Sequence, residues 1–117
     1  MKYLIVMMTL SLSQFSLAAD APKNTPETVA KGKAVYAVNC LTCHGDKGDG
    51  MGPAGKYMSP KPRNFTKDAF KKGEKDADIF ASITKGLDGT SMTGFKTLPE
   101  ADRWALTYYV QSFKAKK

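Results

Sequence analysis

Cys40-Leu41-Thr42-Cys43-His44 constrains this chain more than any other stretch. Two cysteines spaced by two residues, with a histidine directly after, form the C-x-x-C-H pattern of c-type haem attachment. Each residue has a chemical task. The two thiols add across two vinyl groups as thioethers, the spacing matches the sulfurs to those vinyls, and the histidine donates an imidazole nitrogen to iron. A chain built this way must fold around its cofactor. Other uses of the two cysteines fit poorly. A thioredoxin-like pair belongs in a βαβ context, and strand signals are poor throughout this sequence. A structural zinc site takes four ligands, whereas the chain holds two cysteines and one histidine. A disulfide across so tight a loop is usually redox-active rather than structural.

The N-terminus points to the compartment where such attachment happens. Lys2 precedes an uncharged, largely apolar run from Tyr3 to Leu17, and Ser16-Leu17-Ala18 places small residues at the cleavage positions. This is a secretory signal pattern over residues 1–18, with cleavage after Ala18 or Ala19. A retained anchor to the inner membrane is the minor alternative, because the run is short and carries Thr9, Ser11, Ser13, Gln14 and Ser16. The expected location is the bacterial periplasm. Residues 19–25 read as a flexible leader and 26–117 as one haem domain. A chain of this length has room for one modest core, and the haem supplies apolar surface that the chain lacks.

Three amphipathic stretches read as helices. The first spans Pro26 to Cys43, capped by Thr25, with Val29, Gly32, Tyr36 and Cys40 on one face and Gly45 as its stop. The second spans Asp76 to Lys85, with Asp76 as cap, Ile79, Phe80 and Ile83 as its apolar face, and Gly86 as its end. The third spans Pro99 to Phe113, with a capping box of Thr97 and Glu100. Its stripe of Ala101, Trp104, Ala105, Tyr108 and Ser112 suits close helix crossing, for which Gly32 offers a gap. Residues 45–66, rich in glycine and proline, read as loop.

His44 is the sole histidine, so a second axial ligand must be of another type. Methionine sulfur is the usual choice and raises the reduction potential. Outside the signal, the candidates are Met51, Met58 and Met92. Met51 follows His44 too closely to reach the opposite haem face, and Met58 needs a specific loop path. Met92 lies in the flexible stretch 86–95 between two helices and is the preferred ligand.

Several elements occur together and in order. They are Gly32-x-x-x-Tyr36-x-x-x-Cys40-Leu41-Thr42-Cys43-His44-Gly45, Gly50-x-Gly52-Pro53-Ala54, Pro60-Lys61-Pro62-Arg63-Asn64-Phe65, Gly86-Leu87-x-Gly89-Thr90-x-Met92, and Arg103-Trp104-Ala105-Leu106-x-Tyr108-Tyr109-Val110. Over about residues 28–113 the chain resembles the class I monohaem c-type cytochromes of the bacterial periplasm. The resemblance implies an all-α cytochrome c fold of about three to five helices around one haem c, with first and last helices crossing. It implies thioethers at Cys40 and Cys43, axial ligation by His44 and Met92, and the carbonyl of Pro53 as acceptor for the histidine's second N–H. Arg63 or Lys61 would pair with a haem propionate. The family usually has proline after the ligand methionine, whereas Thr93 stands here.

The chain is basic, at +7, and remains so without Lys2. Lys67, Lys71, Lys72 and Lys75 fit one helical face, and Lys114, Lys116 and Lys117 form a basic tail. Such a surface steers acidic redox partners at rates that depend on ionic strength. Nucleic acid is an improbable partner for an exported haem protein. The expected function is electron transfer without enzymatic chemistry, serving a periplasmic dehydrogenase or a membrane oxidase or reductase. The rival readings are a dedicated subunit of a redox complex and a gas-binding or catalytic haem with an open distal site. The chain itself would be a monomer or such a subunit.

Overall fold

Thr25 opens the first helix for local reasons. Its backbone is extended and its Oγ1 accepts from the Thr28 amide at 3.2 Å. Pro26 then occupies the first turn, where a missing N–H costs nothing, and Glu27 faces the positive end of the helix dipole. The computed structural model describes residues 21–114, and these form α1 (Pro26–Asn39), α2 (Leu41–His44), a 3-10 turn at Gly55–Tyr57, α3 (Asp76–Lys85) and α4 (Glu100–Ser112). The described residues form no strand beyond one isolated bridge, so the fold is all-α. The expected signal over residues 1–18, its cleavage site, and Lys116 and Lys117 lie outside the described residues.

The helix expected to run unbroken to Cys43 is divided. Cys40 leaves helical geometry with φ −123°, and the chain restarts as the single turn of α2. The backbone loses little at this break. Cys40 N–H still reaches the Tyr36 carbonyl, and His44 N–H reaches the Cys40 carbonyl, both at 2.9 Å. Gly45 then stops α2 at φ +80°, a conformation that L side chains resist.

Two cap assignments also change. Asp76 is the first residue of α3 rather than its cap, and Asp78 reaches back to accept from the Lys75 amide at 3.3 Å. Pro99 is the N-cap of α4, which makes no side-chain cap bond, so the box of Thr97 and Glu100 does not form. Arg103 stabilises that end instead. Its Nε donates to the Leu98 carbonyl at 3.1 Å and its Nη1 to Thr84 Oγ1 at 2.8 Å, which ties α4 to α3.

α1 and α4 cross at Gly32. A Cβ built there would lie 2.1 Å from the Ala105 carbonyl oxygen and 2.7 Å from Tyr109 Cβ, so only glycine permits the contact. α4 is buried from Ala105 through Val110, well beyond the one expected stripe, while Ala101 is exposed. The cause is that α4 is covered on several sides. Ala105 and Tyr109 face α1, and Trp104 stacks on Phe80 of α3 with centroids 4.1 Å apart. Tyr108 donates to the Pro22 carbonyl at 2.6 Å. Part of the supposed leader is therefore pinned to the body of the domain. The core joins Tyr36, Phe65, Ile79, Ile83, Leu106, Tyr109, Val110 and Phe113.

The lysines at 67, 71, 72 and 75 are exposed, yet they share no helical face, because residues 66–75 form turns and bends. Asn64 sets that path, accepting from both Thr66 N–H and Thr66 Oγ1–H. Such local side-chain bonds compete with helix formation. Lys114 meets Glu74 at 2.9 Å on the surface. No helix among the described residues is long and apolar enough to cross a membrane.

Candidate functional site

The motif turn is wrapped by the loop that follows it. Gly50 N–H donates to the His44 carbonyl, Gly52 N–H to Cys43 and Ala54 N–H to Thr42, at 2.9 to 3.2 Å. Close approach explains the small residues here. A Cβ on Gly55 would lie 1.9 Å from the Cys43 carbonyl oxygen. Tyr36, 1 % exposed, donates its hydroxyl to the Gly45 carbonyl at 2.6 Å and so joins α1 to the residue after the histidine. Burial raises the Tyr36 pKa above the usual tyrosine range, which keeps this hydroxyl a donor. Gly45 retains the Gly48 N–H as a second donor. Tyr36→Phe is therefore expected to cost only about 1 kcal/mol. A thermal melt should show a midpoint lowered by roughly 4–8 °C, as for a domain of this size.

A cavity of about 440 Å³ opens beside the motif. Cys40, Cys43 and His44 contribute to its wall, and Ile79, Ile83, Phe95, Leu106 and Val110 make much of the remainder apolar. Met58 and Met92 both line it, whereas Met51 does not and is 53 % exposed. Two thiols, an imidazole and a thioether around an apolar cavity match the donors that a covalently attached haem requires.

The histidine is prepared as a ligand. It is buried, and desolvation lowers its pKa, partly opposed by its bond to a backbone carbonyl. Nδ1 lies 3.2 Å from the Arg63 carbonyl oxygen. A carbonyl only accepts, so Nδ1 carries the proton and the lone pair is left on Nε2. This corrects the expectation of Pro53 as acceptor: Pro53 is exposed, and the residue whose carbonyl meets the imidazole is Arg63. The reason is the return of the loop. Gly50, at φ +78°, lets the Pro62 carbonyl pass so closely that a Cβ would lie 2.6 Å from it, which brings the next residue beneath the ring. Burial raises the Cys40 thiol to about 12, far from the lowered values of redox-active cysteines.

The segment bearing Met92 is fixed without a proline. Leu87 N–H donates to the Met92 carbonyl at 3.1 Å, and Thr90 Oγ1 accepts the Met92 amide at 3.2 Å. A bridge pairs Gly86 with Thr93, and Phe95 N–H meets the Ile83 carbonyl at 2.9 Å. Arg63, Lys61 and Lys71 line the same cavity, and Ser91 and Thr93 flank Met92 there. Sequence reasoning quoted Phe65 in the 60–65 element but gave it no role, and its ring is stacked on His44 with centroids 4.4 Å apart. Its aromatic character within Asn64-Phe65-Thr66 was the available signal.

The cytochrome c family model matches residues 29–114. The chain belongs to that family and carries haem c attached through Cys40 and Cys43. It is 34 % identical over 97 residues to the cbb3-type cytochrome c oxidase subunit FixP of Azorhizobium caulinodans, covering 83 % of this chain and 31 % of that protein. It is 36 % identical over 101 residues to the cbb3-type subunit CcoP of Azospirillum sp. strain B510, covering 86 % and 32 %. Thiosulfate dehydrogenase of Stutzerimonas stutzeri is 32 % identical over 84 residues, covering 72 % and 27 %. Among solved structures, a chain of the Kuenenia stuttgartiensis reducing HAO-like protein complex superposes with TM-score 0.72 at 36 % identity, covering 80 % of this chain and 46 % of that one. The chain thus spans about a third of the curated relatives it matches.

Proposed function

We propose that this chain is an exported one-electron carrier whose haem iron is held between His44 and Met92. The observation that carries the reading is the placement of Met92 on the cavity wall, in a loop fixed by hydrogen bonds at both ends. When bound, the haem would supply one-electron redox chemistry, and His44 and Met92 are the residues that would hold its iron. The chain's own residues orient, enclose and pair. Arg63 O fixes the His44 tautomer, so Nε2 is the nitrogen available for ligation. The apolar wall would limit water around a bound iron, and a methionine ligand would favour its reduced state. Arg63 and Lys61, both on the cavity wall, are the candidates to pair with haem carboxylates. Among the described residues lining the cavity there is no carboxylate and no second imidazole.

The location is the periplasm, in keeping with the signal pattern of residues 1–18. The partners are acidic redox proteins, a dehydrogenase on one side and a membrane oxidase or reductase on the other. Lys67, Lys71, Lys72 and Lys75, all exposed, give the surface the sign that attracts them. A second reading has an observation of its own. Two of the relatives are named as oxidase subunits and the structural neighbour comes from a complex, which favours a chain that works bound to one larger redox enzyme.

Carbon monoxide tests the closed site. The reduced wild-type protein should bind it slowly and weakly, and Met92→Ala should bind it rapidly. Rapid uptake by the wild type would replace the carrier with a ligand-binding haem. Co-purification with a fixed partner that survives high salt would favour the subunit over the free shuttle.

A further inference from the structure

Nothing above requires an aromatic ring beside the axial histidine, yet one is held there with care. Phe65 faces the His44 imidazole at 4.4 Å between centroids, with the planes 18° apart. The ring is 8 % exposed and fixed from several directions. Its amide donates to the Gly48 carbonyl at 2.7 Å. Gly48 in turn touches the Phe113 ring, where a Cβ would come within 2.7 Å. Phe65 also stacks at 5.7 Å on Phe70 and at 6.1 Å on Phe113, at the end of α4. On its two sides, Asn64 accepts from Thr66, and Asp68 accepts from the Asn64 amide at 3.1 Å. The phenyl ring therefore has little freedom of its own.

An imidazole that bonds iron through Nε2 keeps one soft motion, rotation about the iron–nitrogen direction. The Arg63 carbonyl restrains this only through a single bond of 3.2 Å. A flat, immobile ring parallel to the imidazole restrains it over the whole face. Stacked aromatic pairs are stabilised beyond the area they bury, which favours one orientation of the ring over others. We propose that Phe65 is a positioning residue that sets the orientation of the His44 ring plane. Together with Arg63 O it forms a two-part clamp, in which the carbonyl selects the tautomer and the phenyl face selects the rotation. The proposal rests on the reading of His44 as a ligand of the haem iron and does not involve Met92.

The orientation of an axial imidazole governs how unpaired spin is distributed over a ferric haem, so the haem methyl resonances report it directly. The experiment compares proton NMR spectra of the ferric wild-type holoprotein with those of Phe65→Leu, Phe65→Tyr and Val35→Ala. Phe65→Leu removes the stack with little change in bulk. Phe65→Tyr keeps it. Val35→Ala is a loss of packing against the core away from the cavity wall. The clamp predicts that Phe65→Leu compresses and reorders the spread of the four methyl resonances, that Phe65→Tyr restores the wild-type order, and that Val35→Ala lowers the melting temperature while leaving the resonances in place. An unchanged spectrum in Phe65→Leu would overturn the proposal, as would an equal change in Val35→Ala. Failure of the Met92 reading is separately visible, because the sulfur-to-iron band of the ferric wild type would then be absent, or would survive Met92→Ala, before any Phe65 variant is compared.

Discussion

Removing both thioether sites, by Cys40→Ala with Cys43→Ala, is expected to abolish covalent haem and with it the folded state. The first part follows from the chain having no other cysteine. Under denaturing conditions, intact-protein mass spectrometry should show the wild type at polypeptide plus haem and the double variant at the bare polypeptide mass. The second part follows from size. The cavity beside the motif measures about 440 Å³. Without the haem, Ile79, Ile83, Leu106 and Val110 on its wall would face water, and at about 1.5–3 kcal/mol for each such side chain the loss is comparable with the whole stability of a typical domain. Far-UV circular dichroism of the haem-free double variant should therefore show a largely unfolded chain at 25 °C. A cooperative thermal transition like that of the wild type would show that the protein scaffold is stable without its cofactor. Single variants retain one thioether and should keep the haem mass.

Gly32→Ala should be the most damaging single change on the α1–α4 crossing. Two effects oppose each other. Alanine favours a helix over glycine by about 1 kcal/mol. The added methyl would lie 2.1 Å from the Ala105 carbonyl oxygen, a backbone atom that moves only with the helix. Overpacking of this kind costs about 1–3 kcal/mol and at times more, and so deep an overlap belongs at the upper end. The net loss is about 2 kcal/mol, or a fall in melting temperature of roughly 8–16 °C. Lys33→Ala, at the neighbouring exposed position, should leave the melt nearly unchanged. Equal behaviour of the two variants would mean that the helices do not cross at Gly32.

The contrast between Gly32 and Pro53 shows what was legible in the residues. Gly32 was readable because helix geometry places it on one face with Tyr36, and a missing side chain on a buried face has one plain use. The stops at Gly45 and Gly86, with φ +80° and +76°, were readable for a similar local reason. The acceptor for His44 was not. It lies 19 residues away, and its identity depends on how the 50–63 loop turns back beside Gly50. The break at Cys40 was hidden because the apolar spacing carries through it. The lysines at 67–75 suggested a face by spacing, but bonds made by Asn64, Asp68 and Glu74 hold that stretch in turns. The near-complete burial of α4 depends on what covers it, above all Phe80 and the Pro22 carbonyl. Phe65 had no role beyond its place in the 60–65 element, since its contact with His44 depends on the same returning loop.

Met58 and Met92 both line the cavity, so the central claim is that Met92 is the one that binds. The most direct test is the long-wavelength sulfur-to-iron band of the ferric protein, measured in the wild type, Met92→Ala and Met58→Leu. The account predicts the band in the wild type and in Met58→Leu, and its loss in Met92→Ala. A band that survives Met92→Ala, or that vanishes in Met58→Leu, would contradict it.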